Sequence, residues 1–345
     1  MKLKFVYWFA YYNLNSPSVR YRGKYPLIYL KNNYGINSYF IIPGYKLKNI
    51  FQFFRAYFSA LFFRKSNSII VIQRINSNRI YSGLLKLLIR IRKSNTIYDL
   101  DDADYLEYSP ETIYYFVKNC SVVSVGSHEL VKNLTRLNKH IVLNTSPTPD
   151  LSITKKNKNS LFTIGWIGDF RGGHKEGMLT LFFPSLKNLP FKIKLILLGV
   201  SQKSEYDFLT DHFKTYPNVD LEMPQQINWT DEKDIQQRII GFDVGIATLL
   251  DTELQRSKSA FKTKQYLNNG VPVLSSNISE NNLFVEDGKN GFICSTPADF
   301  TKRMIEINGM NADKYQVLSE NARNSISNFN LHAYCNNLIS YVESK

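Results

Sequence analysis

The sequence predicts an α/β protein in two halves, each a parallel β-sheet flanked by helices. Three observations carry this reading. Short apolar, β-branched runs alternate with amphipathic stretches of helical length along the whole chain. A polar, aperiodic break near residue 150 separates two such series. The 345 residues suffice for two domains, at roughly 100–200 residues each.

In the first half, Leu3–Phe9 reads as a buried strand, then a loop over Asn13–Pro17 and a helix from Ser18 to about Asn33. Tyr39–Ile42 is a strand closed by Pro43-Gly44, and Ile50–Phe63 an aromatic helix. Ser68–Gln73, entirely β-branched at its centre, has the composition of a strand buried on both faces. Tyr81–Arg92 is a basic amphipathic helix, and Thr96–Leu100, Val122–Val125 and His140–Leu143 are further strands. Asn144–Pro149 and Thr154–Ser160 lack periodicity and read as the linker. The pattern then restarts with a strand at Phe162–Trp166 that ends at Gly168. A helix over Leu179–Leu186 and a strand over Lys192–Leu198, ending at Gly199, follow. Val244–Thr248, Pro272–Ser275 and Gly291–Ile293 are strands; Phe261–Asn268, Thr296–Asn308, Ala312–Ser327 and His332–Ser344 are helices. The implied domains are 1–150 and 151–330, with 331–345 a C-terminal helix returning to the first. Strands alternating with helices give parallel sheets, and ligands of such sheets lie beyond the carboxyl ends of the strands.

Composition removes several classes. With 43% hydrophobic and 14% aromatic residues the chain is not disordered. Cys120, Cys294 and Cys335 are far apart and form neither a metal-ligand spacing nor a disulfide framework, which fits a reducing compartment. No apolar run reaches the ~20 residues that span a bilayer. The opening Met1-Lys-Leu-Lys-Phe-Val lacks a small-residue cleavage site and reads as the start of the first strand. Charge is strongly asymmetric. Residues 1–98 hold 17 Lys and Arg and no Asp or Glu, whereas the other 247 carry 26 basic and 29 acidic side chains, a net −3. Such asymmetry points to an anionic partner. No nucleic-acid motif accompanies it, and the basic residues are spread over strands and helices. The aromatic helix and the Arg79–Lys93 segment combine apolar faces with Lys and Arg, as membrane-interface helices do and as core-facing helices with basic outer faces also do.

Four loops carry candidate chemistry. Ser16-Pro-Ser-Val-Arg-Tyr-Arg22 follows the first strand. Ser18, Arg20 and Arg22 at a helix start suit a phosphate. Tyr98-Asp-Leu-Asp-Asp-Ala-Asp104 puts four acids at a strand end. Asp102 and Asp104 have the Asp-x-Asp spacing of a divalent-metal chelate, the same acids suit a helix N-terminal turn, and Asp101 or Asp102 suits a sugar hydroxyl, the reading we favour. Gly165-Trp-Ile-Gly-Asp-Phe-Arg-Gly-Gly-His-Lys175 offers close backbone approach to a diphosphate, with Arg171, His174 and Lys175 supplying charge. It is neither a dinucleotide fingerprint nor a Walker loop, and His174 by itself reads as a polar loop residue. In the fourth loop Lys258 and Lys262 are four apart and share a face if the helix starts early enough, whether as an anion site or as a solvated basic face.

The run Lys258-Ser-Ala-Phe-Lys-Thr-Lys-Gln-Tyr-Leu-Asn-Asn-Gly-Val-Pro-Val-Leu-Ser-Ser276 resembles the signature of retaining glycosyltransferases of the GT-B fold, family-four type. Gly165-Trp-Ile-Gly168, Phe242-Asp-Val-Gly-Ile246, Asn290-Gly-Phe292, Ser18-Val-Arg-Tyr-Arg22 and Tyr98-Asp-Leu-Asp-Asp102 fit the same group in order. The resemblance implies two Rossmann-like domains with parallel sheets facing across a cleft. The first would bind the acceptor and the second the nucleotide sugar, a UDP- or GDP-sugar. Ser257 and Gln265 stand where two donor-binding glutamates are usual. Ala260-Phe261 matches backbone at the donor diphosphate, with Lys258 and Lys262 as phosphate contacts. Gly168 matches the glycine loop, with Arg171 or Lys175 as its basic residue, and Asp101 or Asp102 would lie near the sugar. Lys262 is the expected cation for the leaving phosphate. The resemblance further implies hexosyl transfer with retention, no metal ion and no cofactor. The acceptor would be a glycan or lipid-linked, as in surface polysaccharide assembly, and the protein cytoplasmic and peripheral on the inner membrane face. The alternatives are a non-catalytic protein of this fold that binds a glycan or nucleotide sugar, and a metal-dependent transferase using Asp102 and Asp104.

Overall fold

A computed structural model describes residues 3–44, 46–62, 67–77, 79–149, 154–155 and 157–343. The ends expected at Phe63 and Ser344 lie outside them. The chain divides into two compact units: 1–149 with 257–259 and 329–345, and 150–256 with 260–328.

The first unit holds a six-stranded sheet. Its strands are β1 (Phe5–Ala10), β2 (Asn37–Ile41), β3 (Ser68–Gln73), β4 (Thr96–Leu100), β5 (Val122–Val125) and β6 (Ile141–Leu143), in the order β2-β1-β3-β4-β5-β6. Every pairing is parallel. All residues of β1, β3, β4 and β5 are buried, because helices cover both faces. The edge strand β2 is half-exposed and correspondingly polar. The second unit repeats the scheme with β7 (Thr163–Ile167), β8 (Ile193–Leu198), β9 (Val219–Glu222), β10 (Val244–Ala247), β11 (Val273–Ser276) and β12 (Gly291–Cys294), ordered β12-β11-β10-β7-β8-β9. These are parallel too. In each sheet the chain starts at a central strand and later reverses direction, between β1 and β3 and between β7 and β10. Ligands of open α/β sheets bind beyond such reversal points.

Several elements were not visible in the sequence. Pro110–Asn119, His128–Leu134, Lys203–Phe213 and Glu232–Ile239 are helices, and β9 is an extra edge strand. The helix expected from Ser18 to Asn33 is composite: Val19–Lys24 is wound as a π-helix and Tyr25–Tyr34 as an α-helix, ended by Gly35 at φ 66°. The boundary between the units falls at Pro149 and Asp150, beside the expected linker, and much of that segment is packed. Asn144, Ser146, Thr148 and Lys155 are buried. Thr148 N–H donates to Phe329 O at 2.8 Å and Lys155 N–H to Asn269 O at 2.8 Å. Lys155 also pairs with buried Asp243 at 3.1 Å. Polar composition here reflects hydrogen bonding inside the fold rather than solvation. The last helix, Leu331–Glu343, packs on Tyr25–Tyr34, and its Tyr334 hydroxyl donates to Arg22 O at 3.1 Å.

Candidate functional site

In the second unit the reversal point is built around the helix Phe261–Asn268. Tyr266 lies across it: its hydroxyl accepts from Ile167 N–H at the end of β7 (2.9 Å) and faces Ile246 O of β10 (3.3 Å). Its ring fills the space beside Gly245, where an added Cβ would meet it at 2.4 Å. Asn281 fixes the helix start. Its amide donates to Ala247 O (3.3 Å) and Ser276 O (3.4 Å), and its oxygen accepts the Thr263 hydroxyl (2.8 Å). The turn into the helix is made by Ala260 in the left-handed region at φ 49°, a conformation that costs a non-glycine residue roughly 1–2 kcal/mol. The first N–H groups of a helix have no partner within it and attract anions.

Lys262 is the second residue of this helix. Its ammonium lies 3.0 Å from Nε2 and 3.1 Å from Nδ1 of His174, within hydrogen-bond reach of the imidazole. It also lies 5.2 Å from the Trp166 ring centroid, a cation–π distance. Gly168 is directly beneath. A Cβ there would meet Lys262 Cε at 2.5 Å and Nζ at 2.9 Å. Gly199, at φ 113°, brings the end of β8 against Gly168, where a Cβ would meet Gly168 O at 1.9 Å. The two glycines therefore differ. At Gly168, φ 155°, the nearest atoms are the flexible end of Lys262 and then the Trp166 ring at 3.1 Å, and the backbone adds strain, whereas at Gly199 the neighbouring backbone itself blocks. We expect Gly199→Ala to destabilise by about 1–3 kcal/mol. Gly168→Ala should cost less stability than Gly199→Ala while displacing the Lys262 ammonium. Urea melts of both variants, with equal losses contradicting the assignment, check this.

The other expected donor-side residues are placed differently. Arg171 pairs with Asp169 of its own loop and is more than half exposed. Lys175 sets its ammonium 4.4 Å from the Phe208 ring centroid. Of the basic residues in this loop it is His174, taken as an ordinary polar residue, that meets Lys262. Lys258 precedes Ala260 and is not on the helix, so the shared-face reading of Lys258 and Lys262 fails. Ser257–Ser259 group with the first unit. There Ser257 is buried, its carbonyl accepting the Ser127 hydroxyl at 2.7 Å, and the Lys258 ammonium is 3.8 Å from Asp102. Phe261 is half-buried and Gln265 buried, the Gln265 carbonyl accepting from Asn269 at 2.7 Å.

In the first unit the two arginines expected to face an anion are committed inward. Arg22 is fully buried. It donates to Asp99 at 2.9 and 2.5 Å and to Asn144 O at 2.7 Å. Burial alone would lower its pKa, but the Asp99 carboxylate more than offsets this and raises it. Arg20, also buried, donates to Leu14 O at 2.7 Å and Asn15 O at 2.9 Å and so braces the loop after β1. Ser18 is buried: its carbonyl accepts from Gln73 at 2.9 Å and its hydroxyl bonds to Ser16 at 3.0 Å. A helical phosphate site at Ser18, Arg20 and Arg22 is replaced by a packed brace.

The residue that organises the acidic loop is Arg74, which the sequence did not single out. It sits just past β3 at φ 52°. It donates to Asp104 at 2.8 and 2.5 Å and is 3.2 Å from both Asp101 and Asp102. Its guanidinium thus occupies the centre of the carboxylate group where a chelated cation would sit. Among the described residues no cluster of His, Cys, Asp or Glu has the form of a metal site. Burial raises the Asp101 carboxyl from 3.8 to about 6, against the lowering influence of Arg74. Burial likewise raises Asp104. A carboxyl raised in the folded state contributes its full stability below pH about 4 and loses it as pH rises through about 6. Asp101→Asn should therefore become more stable relative to the native protein between pH about 4 and about 7. Melting temperatures across that range check this, and a difference independent of pH contradicts it. Between the loop after β1, the end of β2 and the start of the Leu47–Phe62 helix, a groove of about 450 Å³ is lined by Asn13, Asn15, Asn49, Gln52 and Phe40.

No protein-family model matches the sequence, and no curated protein matches it by sequence. The solved structures do match, over both units. HepE from Anabaena, in complex with UDP-glucose, superposes with TM-score 0.67 at 13% identity, covering 99% of this chain and 100% of that one. The fold is GT-B. Sucrose-phosphate synthase from Thermosynechococcus elongatus gives 0.69 at 11% identity, covering 99% and 98%. The lipopolysaccharide outer core galactosyltransferase WaaB gives 0.63 at 13%, covering 99% of each chain.

Proposed function

We propose that this protein is a glycosyltransferase that moves a hexose from a UDP- or GDP-sugar to a glycan or lipid-linked acceptor. The observation that carries the proposal is Lys262. An ammonium, held against Trp166 and His174 over Gly168, stands at the start of a helix at a sheet reversal point. Departure of a nucleoside diphosphate builds negative charge on phosphate, and a fixed cation beside helix N–H groups stabilises that charge as it forms. The neighbours support the same donor class, since HepE holds UDP-glucose and WaaB is a galactosyltransferase.

On this reading Ala260, Phe261, Lys262 and Gly168 bind the donor diphosphate, and His174 orients Lys262. The second unit carries the donor and the first the acceptor. The amides of Asn13, Asn15, Asn49 and Gln52 suit sugar hydroxyls of the acceptor, and Phe40 suits a sugar face. Asp101 and Asp102 face the reacting sugar. Transfer proceeds with retention and without a metal ion, since protein cations meet the phosphate charge and Arg74 already neutralises the Asp102 and Asp104 pair. The setting is surface polysaccharide assembly at the inner face of the cytoplasmic membrane.

The test is incubation with UDP- and GDP-sugars and lipid-linked or oligosaccharide acceptors in the presence of EDTA. Release of nucleoside diphosphate and a product anomeric proton signal of the donor's own configuration are expected. No turnover of any donor, or turnover only with added Mn²⁺, overturns the metal-independent transferase. Ser257 and Gln265, in place of two acids, favour a second reading, a protein that binds a nucleotide sugar without transferring it. Donor binding without turnover on every acceptor would select it.

A further inference from the structure

The helix Leu47–Phe62 is apolar on two faces. Phe53, Ala56, Tyr57, Ala60 and Leu61 pack inward. The opposite face carries Leu47, Phe51, Phe54, Phe58 and Phe62, all exposed, with Phe51 at 69% and Phe62 at 63%. These positions recur at steps of three and four, so they form one stripe. Phe54 stacks on Phe58 at 5.8 Å and Phe58 on Phe62 at 6.0 Å. The neighbouring helix Arg79–Ile91 is joined to it by the Phe53–Tyr81 ring contact (5.1 Å) and by Arg92 donating to Leu61 O (2.8 Å). It adds exposed Ile80, Leu87 and Ile91.

Single exposed apolar residues are ordinary, but a run of stacked phenylalanines is a contact surface. Its charge identifies the occupant. Lys46, Lys48, Arg55, Arg90 and Lys93 on and beside these helices are exposed, and residues 1–98 contain no acid at all. A second copy of the chain docking face to face would set basic against basic, since a two-fold interface presents the same patch from both sides. An apolar stripe on helices that carry cations and no acid fits the acyl–headgroup boundary of a bilayer carrying anionic lipid. Among the described residues no helix is long and apolar enough to cross a membrane, so the helix would lie in the surface plane.

We infer that the Leu47–Phe62 helix, through Phe51, Phe54, Phe58 and Phe62 and its basic border, is the surface by which this protein docks on anionic membranes. The inference rests on the membrane setting proposed above but not on transfer itself. The test is flotation of the full chain with vesicles of equimolar phosphatidylglycerol and phosphatidylcholine, against vesicles of phosphatidylcholine alone. Binding to the anionic vesicles is expected, falling at least roughly tenfold with neutral vesicles or in high salt. Phe54→Ser with Phe58→Ser should lower it by a similar factor at an unchanged melting temperature, because both side chains are exposed. The thermal response to nucleotide sugars should be the same in this variant and the native chain, so failure here is distinguishable from failure of the transferase reading. Three results would overturn the inference: no binding of the native chain to anionic vesicles, equal binding by the folded double variant, or a native dimer that these substitutions dissociate without any vesicle binding.

Discussion

Replacing Lys262 with alanine is expected to abolish transfer while leaving the fold intact. The side chain is half-buried, beside the Trp166 ring, the His174 imidazole and Gly168, so its loss opens no core cavity. On the proposed reading the loss falls on the leaving phosphate. Removing one group placed at developing charge lowers kcat by about 10²–10³. Steady-state kinetics with the circular dichroism melt as control are the check. Near-native kcat would take Lys262 out of the site. His174→Ala should act in the same direction but less, because it removes the support and keeps the cation.

Replacing Asp99 with alanine should be the most destabilising single change in the first unit. Arg22 and Asp99 are buried, at 0% and 2% side-chain exposure, and the alanine leaves a guanidinium without its counter-charge. Removing one partner of a buried pair costs about 3–5 kcal/mol. The same change would loosen the junction of β4, the π-wound segment Val19–Lys24 and the C-terminal helix, which meet at Arg22 through Asp99, its own backbone and Tyr334. Replacing both members, Arg22→Met with Asp99→Leu, should recover part of that loss, since no unpaired charge remains. Urea unfolding reads the difference. A single variant as stable as the native chain would contradict the assignment.

The strands were legible because burial on both faces leaves a plain signature. Ser68–Gln73, Thr96–Leu100 and Val122–Val125 have the observed bounds. The unread helices lacked that contrast. Pro110–Asn119 contains Ile, two Tyr, Phe and Val, which favour strands, and only its packing of Thr112, Ile113, Phe116 and Val117 makes it a helix. The edge strand β9, Val-Asp-Leu-Glu, is too short and too polar to stand out, and gains its register from pairing with β8. For the candidate site the sequence located the loops but not the partners. Which arginine faces an anion and which is consumed by a carboxylate is decided by residues far apart in the chain. Asp99 lies 77 positions from Arg22, Asp104 30 from Arg74, and Lys262 88 from His174. One local signal was available for Arg74: it follows a buried strand and precedes an acidic loop on the adjacent strand, so parallel pairing of β3 with β4 brings the two ends together.

The most direct test of a nucleotide-sugar site at Lys262 is thermal denaturation of the native chain and of Lys262→Ala with UDP- and GDP-sugars, in EDTA. A ligand that binds only the folded state raises the melting temperature. At least one of these sugars should raise it for the native protein and leave the variant unmoved. No shift with any of them, or equal shifts in both proteins, would contradict a donor site built on Lys262.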